Sequence, residues 1–290
     1  MSNDYCLFEE AQLPEAYGLA NTGVICYFNS LLQLIAGCTS IAATAVVHSH
    51  EIYKTRTGRA FLEYLAAPTG GQSHTRLLDA LRADLAERRP RVAFGTNQES
   101  ASEALVLLLD MIEPDPAPGQ VSVPGPLTQL FQHRSRAELT CPACRRVVSA
   151  TVDLSVVAYM GHYSPGGAAF TESLRGHDSE TTDFKCECGA AAGAATRTYR
   201  LTMASEILIV AFNMYTSHGA GAREFPERFE LPPLAYRLVG QVEHSGSLHG
   251  GHYWARGLRR GGVAMLNDFS ATPSAFAPTP YTYLLAYHMV

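Results

Sequence analysis

Two stretches near opposite ends of the chain hold residues whose types and spacing could perform nucleophilic catalysis. In the first, Tyr17-Gly18-Leu19-Ala20-Asn21-Thr22-Gly23-Val24-Ile25-Cys26, two glycines and an asparagine lead into a cysteine. Phe28, Leu31, Leu32 and Ile35 then repeat at three and four, so a helix is predicted over 26–37, opened by Cys26 and stopped by Gly37. A helix N-terminus presents unpaired N–H groups and a partial positive charge, which favour the thiolate, the nucleophilic form of cysteine. Most free cysteines are instead inert core residues, so the thiol needs a partner to decide its role. The candidate lies in His244-Ser245-Gly246-Ser247-Leu248-His249-Gly250-Gly251-His252-Tyr253-Trp254, with Asn267-Asp268 beginning fifteen residues after His252. An imidazole beside a thiol can take its proton, and an Asn or Asp acceptor fixes the imidazole tautomer. The glycines before His252 allow a backbone or a substrate to approach closely.

The rest of the chain must position these groups. At 290 residues, with 47% apolar and 17% charged residues, it has the composition of a folded globular protein of one large or two ordinary domains. A net charge of −5 implies no basic surface for nucleic acid or anionic lipid. Apolar runs such as 206–212 are far shorter than the roughly 18 residues of a membrane helix, and Met1-Ser2-Asn3-Asp4-Tyr5-Cys6 does not read as a secretory signal. A soluble intracellular protein, cytoplasmic or nuclear, is expected. Seven cysteines in such a chain point to metal ligands or a reactive thiol rather than a disulfide scaffold.

Helices are predicted over 59–67, 74–88 and 98–112, the last placing Ala101, Ala104, Leu105, Leu108 and Ile112 on one face. The proline-rich stretch 113–126 is expected to be a loop. Beyond about residue 134 the pattern turns to strands, at 147–157, 196–203, 206–212, 236–243 and 281–288. Gly161 to Thr182 is expected to be an irregular insertion with one short helix near 172–174, and Tyr281, Tyr283 and Tyr287 are read as sheet-face or core packing.

The two catalytic stretches resemble the boxes of the ubiquitin-specific proteases, which are papain-like cysteine peptidases. Their cysteine box, Gly-Leu-x-Asn-x-Gly-Asn-Thr-Cys-Tyr-x-Asn-Ser, is matched by Gly18, Leu19, Asn21, Gly23, Cys26, Tyr27, Asn29 and Ser30. Their histidine box is matched by Tyr236, Leu238, His244, Ser245, Gly246, Gly251, His252, Tyr253, Asn267 and Asp268, and 283–287 resembles their closing strand. Gln98-Glu99-Ser100-Ala101-Ser102-Glu103-Ala104-Leu105 is similar to the family's Gln-Gln-Asp-Ala-x-Glu-Phe-Leu helix. Three departures stand out. Val24 and Ile25 replace Asn-Thr, Ser100 replaces Asp, and Leu266 with its neighbours stands where a tryptophan is common before Asn-Asp.

The resemblance implies an α+β, papain-like fold likened to a hand. After a tail over 1–16, the catalytic domain would run over 17–290, with a helical thumb over 17–126, zinc-bearing fingers over 127–200 and a sheet-built palm over 201–290. Cys26 would be the nucleophile, His252 the general base and Asn267 its orienting partner, with Asp268 as alternative or auxiliary. Asn21 would donate to the oxyanion. Gln98, Glu99, Glu103, Gly251 and Tyr253 would line the path of ubiquitin's tail, Glu99 and Glu103 sitting one helical turn apart and facing its arginines. Cys141, Cys144, Cys186 and Cys188 would bind a structural zinc, their four thiolates leaving no open position for catalysis. Cys6 and Cys38 have no assigned role, and Trp254 is expected to pack rather than to touch substrate. The implied reaction is hydrolysis of the bond after ubiquitin's C-terminal glycine by a monomer. A protease for another ubiquitin-like modifier and an inactive ubiquitin-binding module are the alternatives.

Overall fold

The computed structural model describes residues 13–68, 72–92, 94, 97–117, 119–121, 123–160, 169–181, 186–189, 195–212, 223–247 and 250–290. Cys6 and most of the N-terminal tail lie outside the described residues.

The repeat after Cys26 forms helix α1 (Cys26–Ile35), and all ten of its residues are buried, polar ones included. It lies between a helical layer and a large sheet, so it has no solvent face on which to place Asn29 or Gln33. These residues bond inward instead: Asn29 Nδ2 donates to the Ala20 carbonyl at 3.3 Å and Gln33 Nε2 to the Tyr17 carbonyl at 2.8 Å. The helical layer continues with α2 (Thr39–Val47), α3 (Ser49–Ile52), α4 (Arg56–Ala66), α5 (Ser73–Arg88), α6 (Ala101–Ile112) and α7 (Pro126–Phe131). The sequence reading lacked α2, α3 and α7. Thr39–Val47 is almost uniformly apolar or small and shows no 3.6-residue period, while α7 opens with Pro126 in its first turn, where a missing N–H costs no helical bond.

Helix α6 begins at Ala101, not at Gln98. Ser100 is extended and caps the helix, its Oγ accepting from the Glu103 N–H at 3.4 Å. Glu99 therefore precedes the helix, which corrects the expected one-turn pairing of Glu99 with Glu103.

The strands form two sheets. A four-stranded antiparallel sheet, order β2-β1-β5-β4, contains β1 (His133–Thr140), β2 (Val147–Ser155), β4 (Gly176–Thr181) and β5 (Ala195–Met203). The larger sheet contains β3 (Ala158–Met160), β6 (Ile207–Phe212), β7 (Arg228–Leu231), β8 (Leu234–Ser247), β9 (Gly250–Arg259), β10 (Gly262–Asn267), β11 (Ser270–Pro273) and β12 (Thr282–Met289). Its order is β11-β10-β9-β8-β12-β6-β3, with β7 also on β8. Within 161–182 the expected irregular insertion holds helix α8 (Ala169–Arg175) and strand β4; the polar β4 has no strand pattern of its own and is set by its ladder with β5. Segments 161–168 and 182–185 lie outside the described residues. Segment 127–200 contributes to both sheets, because β3 pairs in parallel with β6.

Strand β6 shows how the core divides. Ile207, Ile209 and Ala211 face the cluster containing α1, while Leu208, Val210 and Phe212 face a second cluster with Phe170, Phe229, Tyr236 and Tyr287. A register shift between Thr282 and Leu284 breaks the expected tyrosine stripe. Tyr287 is core, Tyr283 turns toward α6, and Tyr281 is 46% exposed. Among the described residues no single helix is long and apolar enough to cross a membrane. The bent pair α1 and α2, at 85°, reaches that composition together, but α1 is wholly buried within the fold.

Candidate active site

Cys26 is the first residue of α1 and only 4% exposed. The loop before it is folded by Asn21, whose Oδ1 accepts from the N–H groups of Gly23 (3.2 Å) and Ile25 (3.4 Å). The Asn21 Nδ2 group donates to Asp268 Oδ2 at 3.1 Å, and its second hydrogen is used by no hydrogen bond recorded among the described residues. Asn29 Nδ2 reaches Asp268 Oδ1 at 3.3 Å, and the Leu19 N–H donates to the Asp268 carbonyl at 2.8 Å. His74 of α5 holds the same loop through its Nε2, 2.9 Å from the Ala20 carbonyl. Asp268 thus ties Asn21, Asn29 and Leu19 together.

His252 lies on β9 opposite Ser245 of β8. Its Nε2 is 2.7 Å from Asn267 Oδ1. An amide oxygen only accepts, so Nε2 carries the proton and Nδ1 is left with its lone pair free to accept. The imidazole also lies nearly parallel to the Trp254 ring, with centroids 6.0 Å apart and planes 24° apart. Trp254, expected to be a packing residue, packs on the histidine itself. Its indole N–H donates to Glu243 at 2.7 Å; Glu243 is 1% exposed and also holds Arg256 at 2.9 Å and the Thr279 hydroxyl at 2.7 Å. No spacing or motif marks Glu243, a single acid inside an apolar strand. His244 is buried beside Tyr253, with ring centroids 4.2 Å apart; burial first, and then the charge of a protonated His252, lower its pKa. A Cβ at Gly251 would overlap the Ser245 carbonyl oxygen and the His244 imidazole, so this close approach requires glycine.

Gln98 spans from Cys26 to the strand that carries His252. Its Nε2 lies 3.2 Å from Cys26 Sγ and 2.7 Å from the Gly251 carbonyl, and its Oε1 accepts from the Gly251 N–H at 2.6 Å. Ser100, besides capping α6, forms a hydroxyl cluster with Ser102 (2.9 Å) and Tyr283 (2.7 Å). Glu99 is half-buried ahead of the helix, Glu103 is exposed on its first turn, and Tyr253 packs edge-on to Tyr283. Cys38 is buried, and desolvation pushes its thiol up to about 12, so it is an inert core residue.

At the far end of the smaller sheet, the sulfurs of Cys141, Cys144, Cys186 and Cys188 all lie within 4.8 Å of one another. Cys141 and Cys188 are 3.8 Å apart and Cys144 and Cys186 3.6 Å. A tetrahedral thiolate site with metal–sulfur bonds of about 2.3 Å has sulfurs about 3.8 Å apart, so the group fits one metal ion. Each pair sits in a tight turn closed by backbone bonds, Arg145 N–H to Cys141 O at 2.9 Å and Gly189 N–H to Cys186 O at 3.2 Å, with Arg145 and Gly189 at positive φ. The backbone N–H of Cys144 is the main cause pulling the Cys141 thiol down to about 7.

A cysteine at a helix N-terminus, an imidazole bonded to an asparagine and an amide bonded to the next aspartate are the groups of a candidate cysteine hydrolase site. The family model for ubiquitin carboxyl-terminal hydrolase matches residues 17–287, and the chain belongs to that family. The Schizosaccharomyces pombe protein "Probable ubiquitin carboxyl-terminal hydrolase 16" is 22% identical over 84% of this chain and 59% of its own length. Ubiquitin carboxyl-terminal hydrolase 36 of Drosophila grimshawi is 25% identical over 94% of this chain and 25% of its own. The chain therefore spans well under two thirds of these relatives. Among solved structures, the fold is similar to the Ubp8-Sgf11-Sgf73-Sus1 SAGA DUB module (TM-score 0.70, 18% identity, 97% of this chain and 69% of that one). It is also similar to a SAGA Ubp8/Sgf11/Sus1/Sgf73 DUB module bound to ubiquitin aldehyde (TM-score 0.67, 18% identity, 96% and 70%).

The buried pair behind the histidine gives a stability test. Glu243→Ala leaves the Arg256 Nε–H and the indole N–H without their acceptor, Arg256 keeping only Ser274 and Ala275, and should destabilise the protein by about 3 kcal/mol in urea unfolding, whereas Glu243→Gln, which keeps an acceptor oxygen, should cost less.

Proposed function

We propose that the chain is a thiol-dependent hydrolase that cleaves the peptide or isopeptide bond after the C-terminal glycine of ubiquitin. The observation that carries this reading is the pair of bonds made by Asn267 and Asp268, one holding the base and the other the oxyanion donor on either side of Cys26. Membership of the ubiquitin carboxyl-terminal hydrolase family supports ubiquitin as the modifier. Nδ1 of His252 takes the Cys26 proton as the sulfur attacks the glycine carbonyl, and the negative charge that develops on oxygen meets the second Asn21 hydrogen. The imidazolium then protonates the leaving amine, and a thioester remains. Water, deprotonated by His252, hydrolyses the thioester and releases the carboxylate of ubiquitin together with the thiol. All of these groups come from one chain, which supports a monomer as the active unit. Their need for a reduced thiol supports a cytoplasmic or nuclear setting.

The donor chemistry and the sulfur spacing support zinc in the four-cysteine site. Its role would be structural, joining the β1–β2 turn to the segment between β4 and β5. A second reading, a different ubiquitin-like modifier, is favoured by one observation. Where the family has a carboxylate, the neutral Ser100 hydroxyl is engaged by Tyr283 and Ser102 and offers no charge to an arginine.

Incubation with a C-terminal electrophilic ubiquitin probe should add one ubiquitin to the wild type and none to Cys26→Ala, read by intact mass. No adduct with ubiquitin, but an adduct with the probe of another modifier, would decide for the second reading. Asn21→Ala should lower kcat by about 100-fold or more with KM little changed, as for loss of an oxyanion donor. Metal analysis should find one zinc per chain, and Cys141→Ser or prolonged chelation should remove it and lower the melting temperature.

A further inference from the structure

We propose that Gln98 is a hydrogen-bond donor to the nucleophile and, at the same time, the strap that ties Cys26 to the strand carrying His252. The inference rests on the reading of Cys26 as the nucleophile and goes beyond a role for Gln98 in holding the substrate tail. A primary carboxamide has two N–H hydrogens and one oxygen. Here the two hydrogens have two acceptors within reach, Cys26 Sγ at 3.2 Å and the Gly251 carbonyl at 2.7 Å, and the oxygen accepts from the Gly251 N–H at 2.6 Å. The orientation of the amide is determined by these partners. Reversed, it would set Oε1 against the Gly251 carbonyl oxygen and Nε2 against the Gly251 N–H, two repulsive contacts in place of two bonds.

The sulfur contact has a direction. A hydrogen bond donated to sulfur strengthens when the sulfur is ionised, so it favours the thiolate over the thiol. It adds to the α1 N-terminus, which acts in the same sense. The Gly251 contacts do different work. They engage both backbone polar groups of the residue before His252 and fix that strand relative to a side chain touching Cys26. Gln98 is itself anchored two residues on, where Ser100 caps α6 and bonds Tyr283 at 2.7 Å. One neutral side chain therefore sets both the state of the nucleophile and its alignment with the base.

The charged and titratable groups around this end of α1 are His252 of β9, His244 of β8, His74 and Arg82 of α5, Asp268 in the β10–β11 turn and Glu99 beside Gln98. Gln98→Ala removes an N–H and changes none of these charges, whereas Gln98→Glu puts a carboxylate where the donor was. The test is the rate of Cys26 alkylation by iodoacetamide against pH, followed on the Cys26 peptide by mass spectrometry in the zinc-loaded protein. This reagent needs no ubiquitin. In Gln98→Ala alkylation at neutral pH should slow by up to about tenfold. In Gln98→Glu it should slow further. Turnover of a ubiquitin substrate should lose kcat more than it raises KM.

Unmoved alkylation profiles in both variants would overturn the proposal, as would a rise in KM with kcat intact, the signature of a residue that only holds the tail. Thermal melting checks folding, and Gln98→Met, similar in size and without the amide, stands in if Gln98→Ala unfolds. A wild type that alkylates with the expected dependence on Gln98 but ignores ubiquitin probes would keep this inference and remove the ubiquitin reading. A wild type that takes the probe while Gln98→Ala and Gln98→Glu alkylate like wild type would do the reverse.

Discussion

The arrangement turns on the two-residue connection between β10 and β11. Asn267 and Ser270 are paired across it, and Asp268 inside it takes φ +47, a left-handed conformation that Asp and Asn adopt more readily than other residues with a side chain. This bend sends consecutive side chains to different partners. Asn267 reaches His252 on the neighbouring strand, and Asp268 reaches Asn21 and Asn29 on the helical side. His252 and Asn21 are therefore held by adjacent residues of one turn, and their relative position has little freedom. For the turn to meet the loop before α1, the two backbones must nearly touch. Gly18 permits this, since a Cβ there would fall on the backbone of Phe269.

The same contact explains why α1 is buried on every side. A nucleophile on a surface helix could be approached by a sheet only from one direction. This helix is instead inserted between layers, with Asp268 against its N-terminal half and Arg259 against its C-terminal half. Arg259, 1% exposed, donates to the Gln33 carbonyl at 2.9 Å, placing a cation where the helix end is partially negative. Its guanidinium also lies 5.9 Å from the centre of the Tyr17 ring. A cation can be kept in that core because the Gln33 carbonyl and side-chain oxygens, the Leu258 carbonyl and an aromatic face take the place of part of its hydration. The polar residues of α1 are thus the means by which it is gripped at both ends.

Much of this was legible in the sequence where chemistry and local pattern coincide. Cys26 opens a periodic helix, and four cysteines stand in two close pairs. The strands predicted at 196–203 and 236–243 lie inside β5 and β8, and the one at 206–212 begins one residue before β6. What was not legible depends on contacts between distant segments. Strand β4 is polar and exists because β5 pairs with it, and α2 is apolar without a period although it buries only Ile41 and Ala45. The start of α6 was misplaced because Gln98 and Glu99 favour helices, while the Ser100 hydroxyl prefers to cap one. Glu243 and Trp254 illustrate the limit at the site itself. Neither position shows in sequence that Glu243 holds the Trp254 indole, or that the indole lies nearly parallel to the His252 ring.

The two departures in the cysteine box can now be weighed by what each side chain does. Val24 is 48% exposed, and Ile25 is 5% exposed with its side chain in the core. Neither side chain carries a polar group, and the bonds that shape the loop are made by backbone: the N–H groups of Gly23 and Ile25 to Asn21, and the Ile25 carbonyl to the N–H groups of Phe28 and Asn29 at 3.0 Å. Replacing the family's Asn-Thr therefore subtracts side-chain polarity beside the nucleophile without removing a hydrogen bond that positions Asn21 or starts α1. The missing tryptophan before Asn267 is answered differently, by a tryptophan two residues beyond His252 that covers the imidazole from its own strand. In both places the sequence has left the family pattern while Asn267 keeps its bond to His252 and Asp268 keeps its bonds to Asn21 and Asn29.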